Sequence, residues 1–214
     1  MIAMKIFIHS FVLLLIVFAT LCTANAQSSM PSAEQQIRAA VSPAPEHMQD
    51  GATVLGYISD GELVTLREGG NELICLADDP TDDRFHVACY HKDIEPFMKR
   101  GRELRAKGHP GEEVVEIRRE EIESGELYMP EHPTTLYSLT GEADGWDYST
   151  DTLREARPLY VVYIPYATVE ETGLASRPVS EGAPWLMDAG TPWAHIMVGT
   201  GRILGTEAGH ENGE

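Results

Sequence analysis

The segment 72–91 constrains the fold most, because it holds the two cysteines that lie beyond residue 26, Cys75 and Cys89. Two apolar runs flank a polar loop at 78–84, which is rich in aspartate and contains a proline. This pattern predicts a strand, a turn and a second strand. A bond between the two sulfur atoms would close a loop of about 15 residues, for which the chain-entropy model gives roughly 3 kcal/mol of stabilisation. The segment therefore predicts a clamped hairpin.

The first 26 residues have the pattern of a secretory signal peptide. Lys5 gives the start a positive charge, and residues 6–21 are nearly all apolar. Ala24-Asn25-Ala26 then provides small residues at the positions that a signal peptidase recognises. A membrane anchor is the alternative, but the apolar run of about 16 residues is shorter than the ~20 that a span needs. We expect cleavage before Gln27 and no membrane span in the mature chain. Cys22 would leave with the peptide.

Export would carry the mature chain to an oxidising compartment, so we expect a periplasmic or secreted protein. There, an even number of cysteines favours a structural bond between Cys75 and Cys89 over free thiols. The remaining length suits one domain, which we place at residues 27–204. The small, polar segment 205–214 predicts a disordered tail.

The chain is strongly acidic, with 34 acidic and 16 basic residues and a formal net charge of −18 at pH 7. Such a charge opposes binding to polyanions, so we expect neither nucleic acid nor an anionic membrane as a partner. The acidity itself has two interpretations: an affinity for cations, or a solvated surface that keeps an exported protein in solution. We favour the second.

Apolar periodicity and turn signals predict an α+β fold. Ser32 and Gln35 have the capping-box spacing of a helix start. Strand-like runs follow at 53–58, 63–67, 72–77 and 84–91, and the turns between the first three predict a meander of consecutive hairpins. Helices are predicted at 93–108 and 110–123, and the run 159–166 predicts a central strand covered on both faces. We expect a mainly antiparallel sheet, the two central helices packed on one face, and the Cys75–Cys89 disulfide bond.

Three polar clusters are candidates for ligand or metal binding, and each has a simpler interpretation. His86, Cys89 and His91 suggest a metal site, but strand alternation turns His86 away from the other two. Four aspartates in the loop 78–84 suggest calcium, although aspartate also satisfies the backbone of a turn. The first central helix carries a basic face, which suggests an anion site or a solvated face. Its members are Lys99, Arg100, Arg102, Arg105 and Lys107. We predict no metal and no cofactor.

The block 183–198 has the most unusual composition, with two of the three tryptophans of the chain. It predicts an aromatic-walled pocket lined by Trp185, Trp193 and His195, in which Asp188 orients the histidine. The alternative is that the tryptophans fill the core and His195 donates one hydrogen bond to a carbonyl oxygen. No nucleophile elbow, zinc-protease motif, phosphate loop or nucleotide fingerprint accompanies these residues.

This block, with the segment 84–91 that holds Cys89 and with Thr65-Leu-Arg-Glu-Gly69, resembles a group of uncharacterised exported bacterial proteins. The shared features are the cysteine pair and a C-terminal Gly-Thr-Pro-aromatic-Ala-His-Ile-Met motif, here Gly190 to Met197. The resemblance implies an exported bacterial setting. It carries over no catalytic role.

The sequence thus leaves three functions open. The leading expectation is a non-enzymatic exported domain that binds a small molecule or an envelope protein. The second is an exported hydrolase that uses His195 with a carboxylate such as Asp188. The third is a structural envelope protein.

Overall fold

The computed structural model describes residues 30–58 and 61–204, and the structural statements below refer to them. The predicted signal peptide and the predicted tail lie outside the described residues. The chain divides after Met30, and the fold is that of the unit beginning at Pro31. Within the described ranges, no helix combines the length and the apolar character that crossing a membrane requires.

The described chain contains five α-helices and eleven strands. The helices are α1 (Ala33–Val41), α2 (Glu46–Gln49), α3 (Glu95–Ala106), α4 (Gly111–Glu123) and α5 (Val169–Thr172), with a 3-10 turn (Lys92–Ile94) leading into α3. The strands are β1 (Thr53–Tyr57), β2 (Leu63–Arg67), β3 (Leu73–Leu76), β4 (Arg84–His91), β5 (Thr134–Glu142), β6 (Trp146–Asp147), β7 (Thr152–Leu153), β8 (Glu155–Tyr163), β9 (Trp185–Met187), β10 (His195–Gly199) and β11 (Ile203–Leu204). Ser32 caps α1 through the capping box with Gln35, as its sequence predicts.

One large sheet organises the fold, with the strand order β2-β1-β3-β4-β5-β8-β10-β9 and β11 beside β8. The strands β6 and β7 form a separate hairpin. Within the large sheet, β1 and β3 pair in parallel and the other described pairs are antiparallel. The predicted α+β class with a mainly antiparallel sheet is confirmed.

The predicted meander is wrong at its third strand, because β3 pairs with β1 rather than with β2. The segment that connects β2 to β3 runs close to the start of β1. There, the amide groups of Gly70 and Asn71 both donate to the carbonyl oxygen of Gly51. A Cβ atom on Gly69 would overlap the backbone at Ala52 and Thr53. Glycine is therefore needed for this close crossing rather than for a hairpin turn.

The predicted disulfide bond is confirmed. Cys75 on β3 and Cys89 on β4 are direct partners in the antiparallel ladder, with their Cα atoms 3.9 Å apart. Both residues are fully buried. They pack with Ala40 and Val41 of α1, so the bond lies in the core between this helix and the sheet.

The helices lie on both sides of the sheet. One face of the sheet packs on α1 through Val54, Cys75 and Cys89. A separate apolar cluster joins Tyr90 and Val161 of the sheet to Ile94 of the 3-10 turn and Phe97 of α3. The finer prediction that the two central helices together cover one face of the sheet stays a prediction. The direct packing of α1 against the sheet was not predicted.

The strand β8 starts earlier than predicted and is not covered evenly. Its ladder with β10 ends at Leu159 and its ladder with β11 begins at Ala156, so Pro158 falls in the gap between them. A proline is tolerated there because it lacks an amide hydrogen. Tyr163 is buried on one face, whereas Tyr160 on the other is exposed, so the predicted cover on both faces is incomplete.

Candidate functional site

The two C-terminal tryptophans lie on one hairpin, formed by β9 and β10 and closed by the loop 188–194. Asp188 and Gly190 both adopt positive φ angles, of 51° and 76°. The carbonyl oxygen of Asp188 accepts hydrogen bonds from the amide group and the hydroxyl group of Thr191, at 3.1 and 2.7 Å. The motif around Gly190 therefore specifies a tight loop.

Trp193 leaves this loop and enters the core, where 6% of its surface remains exposed. Its ring stacks on Phe97 of α3, with centroids 5.9 Å apart. Arg119 of α4 lies over the indole at 5.5 Å from a ring centroid. The indole nitrogen donates to Oδ2 of Asp188 at 3.1 Å. Trp193 is thus held by an aromatic contact, a cation–π contact and a hydrogen bond at its polar edge.

A buried cation continues the same stack. The guanidinium of Arg118 lies 3.9 Å from the centroid of Phe97, and it donates to the carbonyl oxygen of Phe97 at 3.3 Å. Burial lowers the pKa of Arg118 to about 10, and the charge of Arg105 adds to this effect. A Cβ atom on Gly101 would lie 3.0 Å from the guanidinium, so the glycine makes room for it. The aromatic and cationic groups of this stack therefore join α3 and α4 to the hairpin.

His195 does not form a catalytic pair with Asp188. Its Nδ1 lies 2.8 Å from the carbonyl oxygen of Trp193, and because a carbonyl oxygen can only accept, Nδ1 donates. The distance from Nδ1 to Oδ2 of Asp188 is 4.0 Å, beyond a hydrogen bond. The imidazole also packs on Tyr163, with 12% of its side chain exposed. Among the described residues, His195 has no hydroxyl or thiol partner that would serve as a nucleophile. We call Trp193, Asp188, His195, Phe97 and the two arginines the packed corner.

Trp185 occupies a different environment, at the edge strand β9. It pairs with Met197, and its ring reaches over Gly199, at the opposite end of β10 from His195. It lines a cavity of about 530 Å³, which we call the Trp185 cavity. Neither Trp193 nor His195 lines this cavity. The structure thus brings Trp193, His195 and Asp188 together and places Trp185 apart from them.

The Trp185 cavity combines an apolar wall with polar groups. Trp185 and Leu159 contribute to the apolar wall, Thr140, Ser180 and Thr200 are polar, and Arg157 and Glu181 are the two charged residues of the lining. Arg157 pairs with Thr140 across the β5–β8 ladder, on the sheet face that also carries Leu159. Within the described ranges, Arg157 makes no ion pair or hydrogen bond with a protein group. A cavity of this size lies in the range of small-molecule sites, about 300–1,000 Å³.

Two of the four aspartates in the loop 78–84 accept hydrogen bonds from nearby residues of the chain. Asp78 accepts a hydrogen bond from the amide group of His86 at 2.7 Å, and Asp79 accepts from the amide and hydroxyl groups of Thr81 at 2.8 and 2.7 Å. Burial is the main cause that raises the pKa of Asp78 to about 6. Across residues 30–58 and 61–204, no group of three or more histidine, cysteine, aspartate or glutamate side chains is placed to hold a metal ion.

The basic face of α3 is partly neutralised by acidic neighbours. Arg100 pairs with Glu121 of α4. Arg102 pairs with Glu95 at 2.6 Å and also donates to the hydroxyl group of Tyr90 at 2.9 Å. These two cations therefore connect elements of the fold instead of forming a free anion site.

The chain matches no known family model, no curated protein and no solved structure. The sequence prediction did not include Arg157, because the predicted strand 159–166 begins after Pro158, whereas β8 begins at Glu155. The alternation of Arg157 and Leu159 around that proline is the signal that would have placed both on the same face of β8.

Proposed function

We propose that the mature chain is an exported, non-enzymatic protein that binds a small molecule in the Trp185 cavity. The observation that carries this proposal is the cavity itself, with Trp185 on its wall and Arg157 without a protein partner in the described chain. A flat apolar group of the ligand would pack on the indole. An anionic group, such as a carboxylate, would pair with the guanidinium.

The packed corner supports the non-enzymatic part of this proposal. A general base needs a proton donor within about 2.6–3.2 Å. His195 instead has Nδ1 bound to a backbone carbonyl oxygen and its ring packed on Tyr163. The Oδ2 atom of Asp188 accepts a hydrogen bond from the indole nitrogen of Trp193. Within residues 30–58 and 61–204, no specific contact favours the hydrolase alternative.

Export is also part of the proposal, and two observations support it. The first 26 residues have the composition of a signal peptide. The Cys75–Cys89 bond fits an oxidising compartment, where such bonds persist. We expect the protein from its natural source to begin at Gln27 when its intact mass is measured. A mass that includes Met1 would contradict the export proposal without affecting the cavity.

Binding is tested with the oxidised protein and a panel of carboxylates with aromatic or aliphatic bodies, each paired with its neutral amide. A ligand raises the melting temperature of the native state by mass action. We expect at least one carboxylate to do so, with its amide weaker, and calorimetry then gives the affinity. Trp185→Ala and Arg157→Gln should each weaken that binding by about ten-fold to a hundred-fold.

Arg105→Gln is the matched control, because it removes an exposed arginine that does not line the cavity. It should bind the same carboxylate with unchanged affinity. The proposal is wrong if no carboxylate in the panel stabilises the wild-type protein. It is also wrong if Trp185→Ala binds as well as wild type.

A further inference from the structure

A second concave surface lies between the segment that follows α4 and the loop that follows β8. It has a volume of about 530 Å³, and its lining includes Leu127, Tyr128, Met129, Glu131, His132 and Tyr166. The two tyrosines are 56% and 55% exposed. Large exposed aromatic side chains in a concave surface are typical of a binding site. We call this surface the tyrosine groove.

The backbone of Tyr166 is held in a left-handed conformation, with φ at 62°. Its amide group donates to the carbonyl oxygen of Thr191, and the amide group of Ala167 donates to the carbonyl oxygen of Ile164. For a bulky residue this conformation is strained and persists only where the surroundings impose it. Hydrogen bonds between the hairpin loop 188–194 and residues 166–167 therefore help to hold the strained backbone of Tyr166, whose exposed ring lines the groove.

The charges of the groove favour a cation. Glu131 is exposed, and within the described chain it forms no ion pair or hydrogen bond. His132 has its Nε2 atom 3.1 Å from Oδ2 of Asp93. Among the described residues, no lysine or arginine lines the groove. The net charge of −18 adds a field that attracts cations.

We propose that the tyrosine groove binds a small organic ammonium ion, with the rings of Tyr128 and Tyr166 as cation–π partners and Glu131 as the counter-charge. A cation over the face of a tyrosine ring is attracted by its quadrupole, and recognition of quaternary ammonium groups uses such rings. The Trp185 cavity and the tyrosine groove share no described lining residue. The two proposals can therefore be tested, and contradicted, independently of each other.

The test compares choline with 3,3-dimethyl-1-butanol, which has the same shape but carries no charge. Both are titrated into the full, oxidised protein by calorimetry. We expect choline to bind, and the neutral alcohol to bind about ten-fold more weakly or not at all. Glu131→Gln and Tyr128→Leu should each weaken choline binding by about five-fold or more, with the melting temperature of the free protein unchanged.

Two further variants separate the site from the fold. Tyr166→Asn removes the ring but keeps a residue that tolerates positive φ, so it should lose choline binding without unfolding. Glu170→Gln removes an exposed carboxylate of α5 outside the groove and should leave the affinity unchanged. The proposal is overturned if wild type does not bind choline, if both probes bind equally, or if Glu131→Gln binds choline as wild type does.

Discussion

Trp185 and Trp193 lie on the same hairpin, eight residues apart, yet they have opposite environments. Trp193 is covered by Phe97 and Arg119 and hydrogen-bonded to Asp188. Trp185 forms the wall of an open cavity at the edge of the sheet. The difference arises because the α3–α4 pair reaches one end of β10 and leaves the other end uncovered. Aromatic composition alone therefore does not separate a core residue from a binding residue.

The largest effect is expected at the packed corner. Trp193→Ala removes a buried ring that contacts Phe97 and Arg119, so it should lower the free energy of unfolding by about 3–5 kcal/mol. Trp185→Ala is the matched control and should lower it by about 1 kcal/mol or less, since the ring lies at an open surface. Urea denaturation of both variants measures the difference. Equal losses would remove the contrast between the two tryptophans.

A variant without the disulfide bond tests whether ligand binding depends on the global stability of the fold. Replacing both Cys75 and Cys89 with alanine should lower the free energy of unfolding by about 3 kcal/mol, because the unfolded chain is no longer constrained by a closed loop. The ligand affinity of the Trp185 cavity should stay unchanged at temperatures where the variant is folded, since neither cysteine lines it. Denaturation and calorimetry on the same sample measure both. A large loss of affinity would show that the cavity depends on the clamped end of the sheet.

A smaller effect is expected at Asp188, which holds the polar edge of Trp193. Asp188→Ala leaves the indole N–H without its acceptor and should lower the free energy of unfolding by about 1–3 kcal/mol. Asp188→Asn keeps an oxygen acceptor and tolerates the positive φ angle, so it should retain most of the stability. If the two variants lose the same amount in urea denaturation, the carboxylate does not act through the indole.

The smallest effect is a pH dependence far from both tryptophans. The pKa of Asp78 is raised to about 6, mainly by burial. Between about pH 4 and pH 6 the carboxyl group of Asp78 therefore binds more protons in the folded state than in the unfolded state, and its contribution to the free energy of unfolding falls as the pH rises.

Asp78→Asn removes this proton exchange and keeps an acceptor for the amide group of His86. The variant should gain stability relative to wild type as the pH rises from about 4 to about 7. Urea denaturation at several pH values measures this difference, in which the titration of neighbouring groups largely cancels. A difference that stays constant with pH would show that the carboxyl group of Asp78 titrates normally.

Local signals predicted the three longest helices and most strands, whereas the short helix α5 was not predicted. The capping box at Ser32 places the start of α1, and the spacing of Cys75 and Cys89 predicts the bonded strands. The pairing of β3 with β1 was not predictable from turn residues. Gly69 allows a close approach of two backbone segments, and in the sequence this glycine has the same pattern as a hairpin turn. The predicted strand likewise began after Pro158, so the first residues of β8 were not predicted.

The candidate site was predicted in composition and not in arrangement. Trp185, Trp193, Asp188 and His195 were all identified, but hydrogen bonding assigns Trp193, Asp188 and His195 to the packed corner. The tyrosine groove was not predicted, because Tyr128 and Tyr166 lie 38 positions apart in the sequence and meet only through the fold.

By itself, the sequence determined what depends on neighbours along the chain: the caps, the alternation of the strands, and a cysteine spacing that suits a cross-strand bond. The tertiary structure decided which aromatic rings are covered, which strand β1 pairs with on its second side, and where cavities remain. The reason is that burial depends on which distant elements reach a side chain. At the β9–β10 hairpin, helices from the middle of the chain cover one tryptophan and leave the other open.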